Sequence, residues 1–284
     1  MSEFVCINGD YIKNDKPLIY VSNRCFRYGD GIFETMHFSE GKIQFLSDHY
    51  RRLIKSAKII KIEVPLWFTQ DFILEKVNRL VNANKFFKGV RIRLSLFRAG
   101  TGKYTPETNA MNYLIETEPL NNIYYTLNEK GLMIDIYSEI KKTINPLSSI
   151  KSSNALLYIM AGIYKKENNY DDCIILNEKN NICEATSSNI FIIKSNKIFT
   201  PSLKEGCIDG IMRKQIIEIA NDNGLEVFDS APITIDNLLF ADEIFLTNAI
   251  NGIRWVVGFQ HKRYFNKTSV FLTEKLNKIA FNLK

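Results

Sequence analysis

Between residues 89 and 97 the side chains alternate without a break. Val90, Ile92, Leu94 and Leu96 are apolar, and Arg91, Arg93 and Ser95 are polar. A period of two is what a half-covered strand requires, because successive side chains leave opposite faces of a sheet. Just upstream the period changes. Phe72, Ile73, Val77, Leu80 and Val81 recur at three- and four-residue spacing, an amphipathic helix over residues 69–84. Strand period beside helix period makes the fold class mixed α and β, and periodicity alone goes no further.

The remaining segments fill in that class. Residues 3–21 read as a hairpin around Asn8-Gly9 and Asn14-Asp15, and residues 23–31 as a polar, arginine-bearing loop. A strand at 32–39 turns through Glu40-Gly41 into a second at 43–45. Ser47 is the expected N-cap of a helix at 48–60, on which His49, Arg52 and Ser56 share a face. A Gly-rich loop at 99–106 precedes a strand at 111–117. Asparagines, Pro and Glu at 119–129 mark a connector, so we expect a small N-terminal α/β domain (1–118), a linker (119–130) and a larger C-terminal domain (131–284). In the second half, strands are expected at 132–137, 173–177, 189–194, 198–200 and 244–247. The apolar run 155–164 reads as a buried helix, 211–223 as a helix introduced by Asp209-Gly210, and 273–283 as a terminal helix. Val227, Phe228, Ile233 and Ile235 suggest extended segments.

Charge and cysteine usage narrow the function. The net charge of +6 is interleaved with acids nearly everywhere, which argues for a solvated surface rather than a nucleic-acid stripe. The five cysteines form no CxxC pair, and the three histidines lie too far apart in sequence for a metal site. No signal pattern or membrane-length apolar run is visible, so a cytoplasmic protein with no nucleic-acid or membrane partner is expected. Small anionic substrates or cofactors remain open.

Lys151 stands at a junction between a Ser-rich turn and the apolar run that follows it. An amine there can act as a nucleophile if burial or a neighbouring cation lowers its pKa. Downstream come EATSSNIF (184–191), IFT (198–200) and IDGIMR (208–213) at fixed spacing; upstream stand YGDGIFET (28–35) and HYRRLIKSA (49–57), and ADEIFLTNA (241–249) closes the series. Element by element this resembles the class IV, or fold type IV, pyridoxal-phosphate aminotransferase family.

The resemblance implies a two-domain α/β (α+β) architecture with the cofactor in an interdomain cleft, a cofactor-binding C-terminal domain, and a homodimer. It implies that Lys151 forms the Schiff base with pyridoxal 5'-phosphate and that Glu184 keeps the pyridine nitrogen protonated. It places the phosphate on Arg52 and on the turn Gly210-Ile211-Met212 at a helix N-terminus, with Asn189, Thr247 and Asn248 beside the cofactor. Arg51, about 100° around the helix, is the solvated neighbour. Within the family, the tyrosine that branched-chain aminotransferases carry five residues after the lysine is Leu156 here. The Arg-x-His of D-amino acid aminotransferases is Lys103-Tyr104-Thr105. GDGIFET, K-x-x-N-x-L, GIMR and Asn248-Ala249 look most like aminodeoxychorismate lyase, which forms 4-aminobenzoate and pyruvate for folate synthesis. The alternatives are a branched-chain or D-amino acid aminotransferase and, more remotely, an inactive binding protein on the same scaffold. Arg27 and Lys103, with Tyr104 and Arg98, are the expected substrate-carboxylate contacts.

Overall fold

In the computed structural model, which describes residues 2–17 and 19–283, the alternating segment lies inside an antiparallel sheet. The first unit spans Met1–Tyr124 and takes back Ile150–Asn154 from further along the chain. Its strands are β1 (Phe4–Ile7), β2 (Asp10–Lys13), β3 (Gly31–Ser39), β4 (Lys42–Ile43), β5 (Val90–Arg98) and β6 (Met111–Pro119), in the order β2-β1-β6-β5-β3-β4. Three helices accompany them: α1 (Arg24–Tyr28), α2 (Leu46–Ile59) and α3 (Gln70–Ala83). The apolar side chains of β5 are buried with Ile73, Val77, Leu80 and Val81 of α3 and Leu53 and Ala57 of α2 in one core. Thr69 caps α3, its hydroxyl accepting from the Phe72 amide.

Two expectations in this unit change. Arg24–Tyr28 is a short helix, not a loop, because the Asn23 side chain accepts from the Phe26 amide and Gly29 closes the end at φ +65. Ser47 is not a cap. α2 starts one residue before it, at Leu46, after Phe45 takes a left-handed turn at φ +56.

The second unit comprises Tyr125–Ser149 and Ala155–Lys284. Its strands are β7 (Leu132–Lys142), β8 (Asp172–Asn177), β9 (Ile182–Ala185), β10 (Asn189–Lys194), β11 (Lys197–Phe199), β12 (Val227–Phe228), β13 (Glu243–Asn248), β14 (Gly252–Phe259) and β15 (Lys262–Arg263). The order is β12-β11-β10-β13-β14-β7-β8-β9 with β15 on β14, and parallel pairs (β7 with β8 and β14, β11 with β12) are mixed with antiparallel ones. The helices are α4 (Leu156–Glu167), α5 (Ile211–Asp222), α6 (Ile235–Phe240) and α7 (Lys267–Phe281).

The expectation of a buried helix at 155–164 is overturned. Leu156, Ile159, Met160 and Ile163 all lie exposed, and Ala161 is the one buried residue of α4. Ile235 opens a helix rather than an extended segment, because Thr234 and Asn237 form a capping box. None of the helices among the described residues is long and apolar enough to cross a membrane.

Candidate active site

The first unit carries a buried ion-pair cluster. Alternation along β3 sends Ile32, Glu34 and Met36 to the covered face. A carboxylate in that position needs partners, and the inward face of α2 supplies them. Arg52 reaches Glu34 with two nitrogens, Nε to Oε1 at 2.8 Å and Nη2 to Oε2 at 2.5 Å. His49 Nδ1 lies 2.7 Å from Oε2. Burial alone would raise the Glu34 pKa, but the Arg52 charge, its hydrogen bonds and His49 hold it at about 2. Burial lowers the His49 pKa in spite of Glu34, so the neutral ring donates its Nδ1–H. Arg51 is exposed and pairs with Asp48. The helix face inferred from three- and four-residue spacing is therefore the inward one.

Lys151 is held to the same unit by its backbone. Ser152 bridges Ile32, the Phe33 amide donates to the Lys151 carbonyl at 2.9 Å, and the Ser153 amide donates to Gly31 at 2.9 Å. The Lys151 ammonium lies 4.4 Å from the centre of the Phe33 ring, and the Arg93 guanidinium lies 3.7 Å from it. One aromatic ring thus holds two cations.

The expected substrate cations divide. Arg98 is buried, and its donors reach Asp30, Asn109 and the carbonyls of Ile60 and Lys61. It ties strand to loop, so the structure gives it a different job from the substrate contact expected of it. Arg24 pairs with the same Asp30 at 2.8 Å and donates to the carbonyls of Gly102 and Lys103, pinning the Gly-rich loop. Lys103 and Arg27 are exposed, and Arg27 Nε donates to the Val21 carbonyl at 2.9 Å. Tyr104 packs on Tyr28 with ring centres 5.6 Å apart.

The second unit gathers most of the other predicted residues. Glu184 on β9 is buried, with Lys142 Nζ and the Tyr158 hydroxyl donating to Oε1, the latter at 2.6 Å. The Ile208 amide donates to Oε2 at 2.9 Å. Two residues on, Gly210 precedes α5, whose first turn has no side-chain cap. A Cβ at Gly210 would stand 1.9 Å from Asn189 Oδ1, so only glycine fits that approach. Asn189 also donates to the Ile208 carbonyl at 2.9 Å, and it pairs with Thr247 across β10 and β13. Thr247 Oγ1 is buried with no hydrogen-bond partner among the described residues. Asn248 serves its own turn. Its Oδ1 accepts the amides of Ile250 and Asn251, and its Nδ2 donates to Ser188.

The profile of the amino-transferase class IV family matches residues 31–259, most of the chain. The chain belongs to the class IV aminotransferase family. Among its curated relatives is a putative branched-chain-amino-acid aminotransferase of Methanocaldococcus jannaschii, 28% identical over 279 residues, covering 96% of this chain and 93% of the relative. An aminodeoxychorismate lyase of Vibrio harveyi is 27% identical over 249 residues, 86% of this chain and 89% of that protein. The PLP-form (holo-form) of a branched-chain aminotransferase from Thermobaculum terrenum has the same fold, with a TM-score of 0.85 at 21% identity over 99% of this chain and 94% of that one.

Sequence reasoning about this class IV chain missed three participants. Glu34 sits inside the YGDGIFET segment, and the alternation Ile32, Glu34, Met36 marks it as an acid on a covered face that needs a cation. Lys142 and Tyr158 left no such trace. Their partner, Glu184, is 42 and 26 residues away, and no local period links them.

Proposed function

We propose that this class IV chain is a pyridoxal-phosphate enzyme acting on a small amino-bearing acid, and that it is an aminodeoxychorismate lyase. The observation that carries the cofactor reading is Glu184. It is a buried carboxylate with Oε1 filled by two donors and Oε2 accepting one, which leaves it able to take one further N–H. The Thr247 hydroxyl, with no hydrogen-bond partner among the described residues, and the uncapped N-terminus of α5 leave donors that fit an anion. When bound, pyridoxal phosphate supplies an aldehyde for an amine and a ring that draws electrons from the adjoining carbon.

In this reading Lys151 Nζ holds the aldehyde carbon and moves the proton during turnover. Glu184 keeps a proton on the ring nitrogen. Arg52, the amides of Ile211 and Met212, and Thr247 hold the phosphate, with Asn189 keeping the 208–210 turn in shape. Asn248 supports the strand end through Ser188 and the following turn. Arg27 and Lys103 take the two carboxylates of the substrate, with Tyr104 beside them.

Leu156, where branched-chain aminotransferases carry a tyrosine, and Asn248-Ala249 favour the lyase. The branched-chain relatives favour a second reading, an aminotransferase. Incubation with aminodeoxychorismate separates the two. The lyase releases pyruvate and 4-aminobenzoate without a keto-acid acceptor. Conversion of the cofactor to its pyridoxamine form by an ordinary amino acid, with no pyruvate, would establish the aminotransferase. Borohydride should fix the cofactor on Lys151, and Lys151→Ala should fold yet lose turnover by several orders of magnitude. An adduct on Lys141 or Lys142 would overturn the assignment.

The assembly proposed is a homodimer. The exposed stripe Leu156, Ile159, Met160, Ile163 on α4 is an apolar face at helical spacing, of the kind that association covers. Light scattering of the purified protein should give twice the chain mass, and Ile159→Asp should shift it toward the monomer.

A further inference from the structure

We propose that Lys142 is a positioning residue for the ring-nitrogen site: it fixes the orientation of the Glu184 carboxylate and moderates that carboxylate's hold on the ring proton. The inference rests on the pyridoxal-phosphate reading and adds to it a residue that the motifs do not contain.

The geometry is specific. Lys142 ends β7, is itself buried, and pairs with Glu184 Oε1, which also accepts from Tyr158. Oε2 accepts from the Ile208 amide. Three donors from three segments leave the carboxylate no freedom to rotate, and its remaining acceptor capacity is on Oε2.

The surroundings make Lys142 the charge that matters. Burial first, and then the Glu184 charge, push the Tyr158 hydroxyl and the Cys183 thiol well up and the Cys207 thiol to about 12, so all three stay neutral. Glu205 is engaged by Asn177 at 2.7 Å and Asn181 at 2.8 Å. Arg213 donates to the Pro201 carbonyl and pairs with Asp229, and the Asp209 charge adds to the rise of the Cys207 thiol. A buried carboxylate without a cation would draw a ring proton strongly. One that shares its charge with an ammonium draws it less.

The test uses the intact protein with and without added pyridoxal phosphate. It compares wild type with Lys142→Met, Lys142→Arg, Glu184→Gln and the Lys142→Met/Glu184→Gln double variant. Lys142→Gln keeps a donor to Oε1 without the charge, and it stands in wherever the methionine variant does not fold. Without cofactor, Lys142→Met should lower Tm by roughly 5–10 °C, and the double variant should regain much of that loss. With cofactor, the added Tm gain should be larger in Lys142→Met than in wild type, because a protonated ring then compensates the lone carboxylate. The pH midpoint of the ring-nitrogen signal, followed by 15N NMR of labelled cofactor, should rise by about one unit or more in Lys142→Met and Lys142→Gln. Lys142→Arg should stay near wild type. Unchanged midpoints in both neutral variants, with additive Tm losses in the cycle, overturn the role of Lys142 alone. Wild-type protein that takes up no cofactor overturns the pyridoxal-phosphate reading and this role together.

Discussion

Glu34 and Glu184 are both buried carboxylates, each facing a cation, yet they are built for different work. Glu34 meets an arginine in a two-pronged pair, with a neutral histidine completing it. A guanidinium stays charged and matches the carboxylate edge to edge, so that pair locks. Glu184 meets a lysine, a point charge on a flexible stem, together with a phenol and one backbone amide. It is oriented but not saturated. The comparison teaches that burial and pairing alone do not identify a working acid. What distinguishes it is acceptor capacity left over after the structural partners are counted.

The sharpest way to break this comparison is to neutralise each acid. Glu184→Gln should cut turnover by about 10²–10⁴-fold while cofactor binding is largely retained. Wild-type rates would make Glu184 a structural acid. Glu34→Gln should act on the other axis, lowering folding stability by about 3–5 kcal/mol because it strands the Arg52 charge. Chemical denaturation reads that loss, and unchanged stability would mean that the pair is not a lock. Arg52→Ala should weaken cofactor affinity by about 2–5 kcal/mol, as expected for a partner lost from a buried charge pair. Arg51→Ala should change affinity by no more than about 0.5 kcal/mol. Equal effects at the two positions would take the phosphate role from Arg52 and leave it only its pair with Glu34.

The smallest effect is in acid. The folded-state pKa of Glu34, about 2, lies below its ordinary value of 4.5, so its contribution to stability is complete above about pH 4.5. It is lost as the pH falls toward 2. Urea midpoints measured down that range should fall more steeply for wild type than for Glu34→Gln.

Much of the architecture was legible because it is periodic. The alternation along β5 and β3 and the stripe on α3 describe the elements that later share a core. The motif series also led to Glu184, which the Ile208 amide ties to the turn before Gly210, and to Thr247, which pairs with Asn189. Illegible were features whose cause is not local. The start of α2 depends on a left-handed Phe45 rather than a capping side chain. The run that opens α4 is apolar yet exposed, and composition alone does not separate an exposed apolar face from a buried one. The helix α6 is too short to show a period, and its capping box uses Asn237 in place of the usual acid or glutamine. Lys142 could be found only by tracing which side chain meets Glu184.

The five residues at 150–154 also bear on how the protein comes to be made. Ile150 is part of the first unit's core, and residues 151–153 supply hydrogen-bond partners to the edge of β3. The ribosome delivers them only after 25 residues assigned to the other unit, Tyr125–Ser149. The earlier-made half of the enzyme therefore waits on later chain, and a nascent polypeptide halted at residue 124 holds every strand of its sheet but lacks the piece that finishes it. No single cut in the gene yields two self-sufficient halves.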